Sequence, residues 1–334
     1  MKQIPIFFTF DRHYTVAAAV AFYSLLRHAA PLYQYKLYVL HTSIPEKMQD
    51  RLTRLVKRFP NADLQFIDVS RFDIQGDIRQ GKSHFSREIY YKLIAAEVFP
   101  QYDRILCSDV DVVFTGDIAP SYFMFPGEDF YYAGVGQVLE SGRMKTYADG
   151  LFSPQEKQAL EQEIMAGYLL FNLKAIRQDG MQKKLTDFYR QNYPRLPLPE
   201  QDCLILCCWP HVRHLPMEYV VCNTYYKPSL GKAPRFSTTS RWLPESEAEK
   251  QEMFARALAK PVQVHYVGPL KPWNSFFVPQ QRLWLASLQE TGFTFLYLRM
   301  LPAFVRQRLK RYSLRRFLTK IYCKLTRRPY ENRP

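Results

Sequence analysis

The stretch Arg104-Ile105-Leu106-Cys107-Ser108-Asp109-Val110-Asp111 decides how this chain is read. Ile105, Leu106 and Cys107 form an apolar run of strand length, and the run ends on two carboxylates placed two residues apart. At a strand end such a pair can converge on one hard cation, as a divalent ion holding phosphate oxygens requires. A blander reading stands beside it, because D-x-D spacing is common and acidic loops are mostly solvated. Context favours the cation: the pair interrupts a buried-looking strand in a chain of net charge +15.

Moving outward, short β-rich runs alternate with helical patterns. Ile4–Phe10, Tyr35–His41, Leu64–Val69 and Arg104–Ser108 read as strands. Tyr14–Ala29, Pro45–Phe59 and Arg87–Phe99 read as helices, the second with proline near its start, where it is tolerated. This alternation predicts an α/β fold with a mostly parallel central sheet flanked by helices, whose ligands bind at the carboxyl ends of the strands. The second half is less regular. Tyr168–Asn172 and Val262–Tyr266 read as strands, Met181–Tyr193 and Glu245–Lys260 as helices, and Pro194–Pro199 as a linker or loop.

Two further segments carry chemistry. His265-Tyr-Val-Gly268-Pro-Leu-Lys271-Pro-Trp273 follows a predicted strand. A lone histidine there reads as a satisfied core residue. Crowded with a glycine that lets backbone approach a phosphate and a lysine that brings a compact positive charge, it reads as a third metal ligand. Thr9-Phe10-Asp11-Arg12-His13-Tyr14 ends the first strand. Asp11 can accept hydrogen bonds from a base or ribose and Tyr14 can stack on a base, or Asp11 simply caps the helix that follows.

Other chemistries find less support. Cys203, Cys207, Cys208, His211 and His214 crowd together as a zinc site would, but Cys203–Trp209 reads as a buried apolar element, and buried thiols behave as small hydrophobes. The six cysteines form no disulfide framework. Walker, dinucleotide-binding and nucleophile-elbow motifs are absent.

The charge is uneven. From Arg299 to Pro334 twelve residues are Lys or Arg and one is Glu, a local excess of +11 that leaves +4 for the preceding 298 residues. Basic residues there interleave with Leu301, Phe304, Val305, Leu309, Tyr312, Phe317, Leu318, Ile321 and Leu325, a helical amphipathic pattern. The expected organisation is a domain over residues 1–290 and a basic amphipathic helical tail over 291–334. Such a tail suits an anionic membrane surface. A solvated helix packed on the domain is the plainer alternative, and nucleic acid is disfavoured because the body carries little excess charge. The first apolar run begins at Ile4 and no stretch has the ~18–20 apolar residues of a spanning helix. The expectation is therefore a cytoplasmic protein, peripherally associated with the inner face of the cytoplasmic membrane.

Taken in order, these segments resemble the retaining glycosyltransferases of family 8, which include bacterial lipopolysaccharide galactosyl- and glucosyltransferases and glycogenin. The resemblance runs from about Ile4 to Trp273. Its most specific element is His-x-x-Gly-x-x-Lys-Pro-Trp, matched by His265, Gly268, Lys271, Pro272 and Trp273, with Asp109 and Asp111 as the D-x-D. It implies a GT-A fold and Mn²⁺, or Mg²⁺, held by Asp109, Asp111 and His265. It further implies a UDP-sugar donor contacted by Thr9, Phe10, Asp11, His13, Tyr14, Lys92, Ser108, Asp109, Val110, Gly167, Gly268 and Lys271. It places the catalytic segment at Glu200-Gln201-Asp202, which resembles the family's Asp-Gln-Asp. Three other positions depart from the family pattern: His13 for Asn, Lys92 for a donor-binding Arg, and Met165 for the Asn of Asn-Ala-Gly.

The implied activity is transfer of a hexose, galactose or glucose, to a saccharide or glycolipid acceptor such as lipopolysaccharide, with retained configuration. Two alternatives remain at this stage: a metal-dependent nucleotidyltransferase, against which the late His-Gly-Lys-Pro-Trp signature argues, and a sugar-nucleotide-binding module that has lost catalysis, motivated by Met165 and Lys92.

Overall fold

Near the start of the chain Ile4, Ile6 and Phe8 point to one side and Phe7 to the other, and all four are fully buried. A strand apolar on both faces belongs in the middle of a covered parallel sheet. The computed structural model, which describes residues 1–72, 87–140, 147, 150–227 and 234–311, puts it there. Strand β1 (Lys2–Thr9) pairs in parallel with β2 (Tyr33–His41) and with β4 (Arg104–Ser108), and β2 pairs in parallel with β3 (Ala62–Asp68). A seven-stranded sheet of order β3-β2-β1-β4-β7-β6-β8 results, where β6 is Tyr132–Gly136, β7 Ile164–Asn172 and β8 Val212–His214. Only β7 runs against its neighbours, so the sheet is mostly parallel, as expected.

A second, three-stranded sheet has the order β5-β10-β9: Val112–Phe114, Gln263–His265 and Val221–Cys222. The chain therefore leaves the main sheet at Ser108, turns through Asp109-Val110-Asp111 and enters the small sheet at Val112. Strand β5 was not legible beforehand, since three residues are too few for a periodicity.

Helices cover both faces. On one side α1 (Thr15–Arg27) buries Ala17, Ala18, Ala19 and Ala21, small residues that let the helix lie close to the sheet. It opens through a 3-10 turn, Arg12–Tyr14, where Asp11 Oδ1 accepts from the His13 N–H at 2.8 Å. Helix α2 (Glu46–Val56) flanks β3. The other face holds α3 (Met181–Asn192) and α4 (Pro199–Cys208). Helix α5 (Glu247–Ala259) precedes β10, with Ser246 Oγ accepting from the Glu249 N–H. Helix α6 (Gln281–Thr291) packs on α1 through the fully buried Trp284, and α7 (Thr294–Arg311) packs Tyr297 against Trp284 at 5.5 Å between ring centroids. Residues 312–334 of the expected tail lie outside the described residues. No described helix is long and apolar enough to cross a membrane.

Two local expectations are corrected. Arg87–Phe99 is not one α-helix but a 3-10 helix, Arg87–Ile94, followed by the single α turn Ala95–Val98. Tyr90, Tyr91, Lys92 and Leu93 are consecutive and all buried, so this segment has no solvent face of the kind an amphipathic surface helix needs. The expected linker or loop Pro194–Pro199 is irregular only over 196–198: its start belongs to the 3-10 turn Tyr193–Arg195, and Pro199 opens α4, where its missing N–H is not needed.

Candidate active site

The two sheets meet at the D-x-D turn, and each fixes one aspartate. On the main-sheet side, β4 pairs Ser108 with Tyr168 of β7, and the ladder continues as the Asp109 N–H donates to the Gly167 carbonyl at 3.0 Å. On the small-sheet side, Val112 of β5 pairs with His265 of β10, and the Tyr266 N–H donates to the Asp111 carbonyl at 2.9 Å. This register brings His265 to the aspartates. Its Nε2 lies 3.2 Å from Asp111 Oδ1 and 3.7 Å from Asp109 Oδ2. Asp109, Asp111 and His265 form the one group among the described residues whose ligand atoms all lie within 4.8 Å of one another. The Cys203–His214 cluster forms no such group: its cysteines are buried in the apolar second half of α4.

Two lysines orient the carboxylates. Lys92 Nζ donates to Asp109 Oδ1 at 2.7 Å, and Lys271 Nζ donates to Asp111 Oδ2 at 2.6 Å. Each carboxylate thus has one oxygen held by an ammonium while the other faces the imidazole. Burial alone would raise the Asp111 carboxyl, but Lys271 and His265 outweigh it and hold Asp111 well below the usual carboxylate range. Burial likewise opposes charge on Lys92, yet Asp109 and Glu200 outweigh it and raise the ammonium above its ordinary value. Lys92 is 1 % exposed, donates to the Ala166 carbonyl at 3.0 Å and lies 3.5 Å from Glu200. It therefore ties the 3-10 helix, β7 and α4 to the D-x-D from behind. Burial pushes the Glu200 carboxyl up, against the pull of Lys92.

Gly167 has a specific reason to be glycine. A Cβ there would lie 2.5 Å from His265 Nδ1 and 2.6 Å from Cε1. The imidazole occupies the space a side chain would need, so no larger residue fits without moving His265. Gly268 takes a φ of 75°, a left-handed conformation that glycine adopts without strain, and lets the loop double back so that Lys271 reaches Asp111. The loop is further pinned by the buried Asn223, whose Oδ1 accepts from the Val267 N–H at 3.1 Å, and by Trp273, which stands edge-on to Tyr14 at 5.7 Å. Burial, followed by Asp111, Asp11 and Asp109, pushes the Tyr14 hydroxyl up to about 12, so it stays protonated near neutrality.

The remaining sequence candidates take varied places. Thr9 ends β1, next to β4 at the strands' carboxyl ends, and Phe10 follows it; Phe10 is buried and His13 exposed. Ser108 is fully buried behind the motif, its hydroxyl donating to the Asp109 carbonyl at 2.9 Å and accepting from Gln263. Val110 is buried. Asp202 anchors the start of α4, accepting from Tyr147 at 2.8 Å and from the Leu198 N–H at 2.7 Å. Gln201 is held at both ends of its amide: Oε1 accepts from the Ala166 N–H at 3.0 Å, and Nε2 donates to Glu163 Oε1 at 2.8 Å. Glu163, 8 % exposed, escaped the sequence reading because it precedes β7 outside any motif. Met165 turns toward the small sheet, its sulfur 3.7 Å from Cys222 Sγ.

The comparisons with known proteins follow the same outline. Among solved structures, the fold is similar to the WbbM bifunctional glycosyltransferase, with a TM-score of 0.69 and 22 % identity over 90 % of this chain; the chain spans about half of that protein, 52 %. It is also similar to the galactosyltransferase LgtC, solved with donor and acceptor sugar analogs, with a TM-score of 0.65 and 19 % identity over 86 % of this chain and 95 % of that one. A third is the glycosyltransferase GlyE of Streptococcus pneumoniae TIGR4, with a TM-score of 0.58 and 21 % identity over 85 % of this chain and 60 % of that one. At these identities the likeness is one of fold, and it marks the α/β architecture as GT-A-like. No curated protein sequence matches. The model of the glycosyl transferase family 8 matches residues 5–276, a span that holds both sheets, the D-x-D turn and the loop through Trp273; the chain is a glycosyltransferase and belongs to that family.

Proposed function

We propose that this glycosyltransferase moves a hexose, galactose or glucose, from a UDP-sugar to a hydroxyl of a saccharide or glycolipid acceptor, with retention and with a divalent metal. The acceptor class is lipopolysaccharide or a related cell-surface glycan. The observation that carries the reading is the convergence of Asp109 Oδ2, Asp111 Oδ1 and His265 Nε2 while lysines hold the other carboxylate oxygens. Two carboxylates and one imidazole with positions left for substrate fit Mn²⁺, and Mg²⁺ next. When bound, the metal supplies positive charge for the departing diphosphate.

The chain's own groups do the rest. Lys271 adds a compact positive charge beside the leaving phosphate. The bond from the anomeric carbon to the β-phosphate oxygen breaks, the acceptor oxygen bonds the same face of that carbon, and its proton passes to the leaving phosphate. Gln201, clamped by Ala166 and Glu163, offers its amide oxygen to the electron-poor sugar carbon. Asp11 and Tyr14 take the nucleoside end. In the cell the protein sits on the inner face of the cytoplasmic membrane, a placement supported by the +11 excess over residues 299–334.

The test is release of UDP from a panel of UDP-sugars with Mn²⁺ and with chelator. Metal-dependent release from one sugar is the expected result and names the donor. Met165, turned toward Cys222 where the family presents an amide, favours a second reading: a sugar-nucleotide-binding module without turnover. Tight metal-dependent UDP binding with no release, even with acceptor glycans present, would establish that reading. Neither release nor binding would overturn both.

A further inference from the structure

The loop that follows Trp273 carries Phe276, 53 % exposed, and Phe277, 98 % exposed, and Phe277 holds a φ of 61°. Positive φ strains a bulky side chain, and a ring so exposed gains nothing from packing that would offset the strain. Helix α7 shows a related pattern. Its inner side, Leu296, Tyr297, Met300, Leu301 and Phe304, packs on the core. Its outer side presents Phe295 (71 % exposed), Leu298 (52 %) and Val305 (38 %) with the exposed Pro302. Arg299 and Arg306, both exposed, share that outer side. Loop and helix are continuous: Trp273, Phe276, Tyr297, Leu301, Phe304 and Val305 line one shallow groove between them.

Charge selects the occupant. Residues 292–311 contain five Lys or Arg and no Asp or Glu. A second copy of the chain would bring this basic helix against itself, which repels. Aliphatic Leu298, Pro302 and Val305 have no π-face to stack on nucleic-acid bases. Protruding aromatic and aliphatic tips flanked by arginines match a bilayer interface, where rings enter the headgroup layer and basic groups meet anionic lipid. We infer that Phe276, Phe277 and the outer side of α7 seat the folded body itself on an anionic lipid surface. This rests on the transferase reading only for its purpose. Phe277 is six residues beyond Lys271, at most about 20 Å of chain, so docking holds the metal loop beside the headgroups, where the glycan of a lipid-linked acceptor stands.

The experiment is co-sedimentation of the full chain with vesicles of phosphatidylcholine plus phosphatidylglycerol, against phosphatidylcholine alone. Wild type is compared with F276S/F277S and with L298S/V305S, whose positions are exposed; an unchanged thermal midpoint verifies their folding. Each pair is expected to weaken binding to the anionic vesicles about tenfold, with metal-dependent UDP release in vesicle-free solution at the wild-type rate. Undiminished vesicle binding by both variants would overturn the inference and leave attachment to the basic charge alone. So would equal binding of wild type to neutral vesicles, a change from dimer to monomer in the variants, or loss of RNA binding in place of vesicle binding. Vesicle binding that depends on the phenylalanines, with no UDP release from any UDP-sugar, would instead sink the transferase reading and leave the docking face standing.

Discussion

At the scale of single residues, the site is a set of paired constraints. Asp111 gives one oxygen to Lys271 and the other to the ligand cluster, so Asp111→Asn removes a charge without removing volume. Donor turnover should fall at least about 100-fold, read as UDP release. The fold should persist at a cost of about 1–3 kcal/mol for the weakened pair, read by urea denaturation. Wild-type turnover in this variant would discard the metal assignment. Glu163 invites a different experiment. Its carboxylate accepts from the Gln201 amide, which fixes the amide's orientation and draws electron density toward its oxygen. Glu163→Ala should lower kcat about tenfold or more with little change in the KM for donor, and Glu163→Gln, which keeps an acceptor, should recover part of the loss. An effect confined to KM would remove Glu163 from this role. Asp109 with Asp111, and His265 with Lys271, were legible in the sequence because each pair lies within one short motif. Glu163 and Asn223 were not, because each acts through a partner dozens of residues away and neither lies in a motif.

At the scale of elements, the geometry depends on two strand registers meeting at one turn. Pairing Val112 with His265 and Ser108 with Tyr168 sets the imidazole over Gly167, and a Cβ at that position would stand 2.5 Å from Nδ1. Gly167→Ala should therefore push His265 off its place and weaken metal binding at least about tenfold, measured by Mn²⁺ titration calorimetry. Unchanged affinity would mean that His265 is not a ligand, or that β10 shifts to follow it. Strands β1 and β4 were legible because burial on both faces leaves unbroken apolar runs, and β3 because Leu64 and Phe66 alternate with the exposed Asp63, Gln65 and Asp68. Strand β6, Tyr-Ala-Gly-Val-Gly, was not, because two glycines erase the strand signature. Gly136 is needed for contact instead: a Cβ there would lie 2.2 Å from Trp242 Nε1. The 3-10 course of Arg87–Ile94 was equally hidden, since its conformation follows from what Tyr90 and Lys92 reach across the fold rather than from helix propensity.

At the scale of the whole molecule, the same Trp242 contact supplies a response to acid. His214 stacks on Trp242 with ring centroids 5.3 Å apart and planes 9° from parallel. Burial lowers its imidazole to about 4, against an ordinary value of 6.5. Between these values the unfolded chain binds a proton that the folded chain refuses. This contribution to stability is therefore complete above about pH 6.5 and is lost as pH falls toward 4, by up to about 3 kcal/mol. Urea midpoints of wild type and His214→Gln, compared at about pH 7 and about pH 4.5, should show a smaller acid-induced drop in the variant. Equal drops would remove His214 as a source of acid sensitivity. The overall α/β plan, with its crevice at the ends of β1 and β4, was legible from strand–helix alternation. The small second sheet was not, although it carries the third ligand of the candidate metal site.

That small sheet also orders events in time. Within it β5 has β10 as its only hydrogen-bonded neighbour among the described residues, and roughly 150 residues of chain separate the two. During synthesis the aspartates leave the ribosome long before His265, and contacts so distant in sequence close late. A nascent chain that has not yet reached β10 owns two carboxylates, no imidazole and no Lys271 to steady Asp111. The candidate metal site is complete only once synthesis has passed Lys271, so an interrupted translation product would carry the motif without the site.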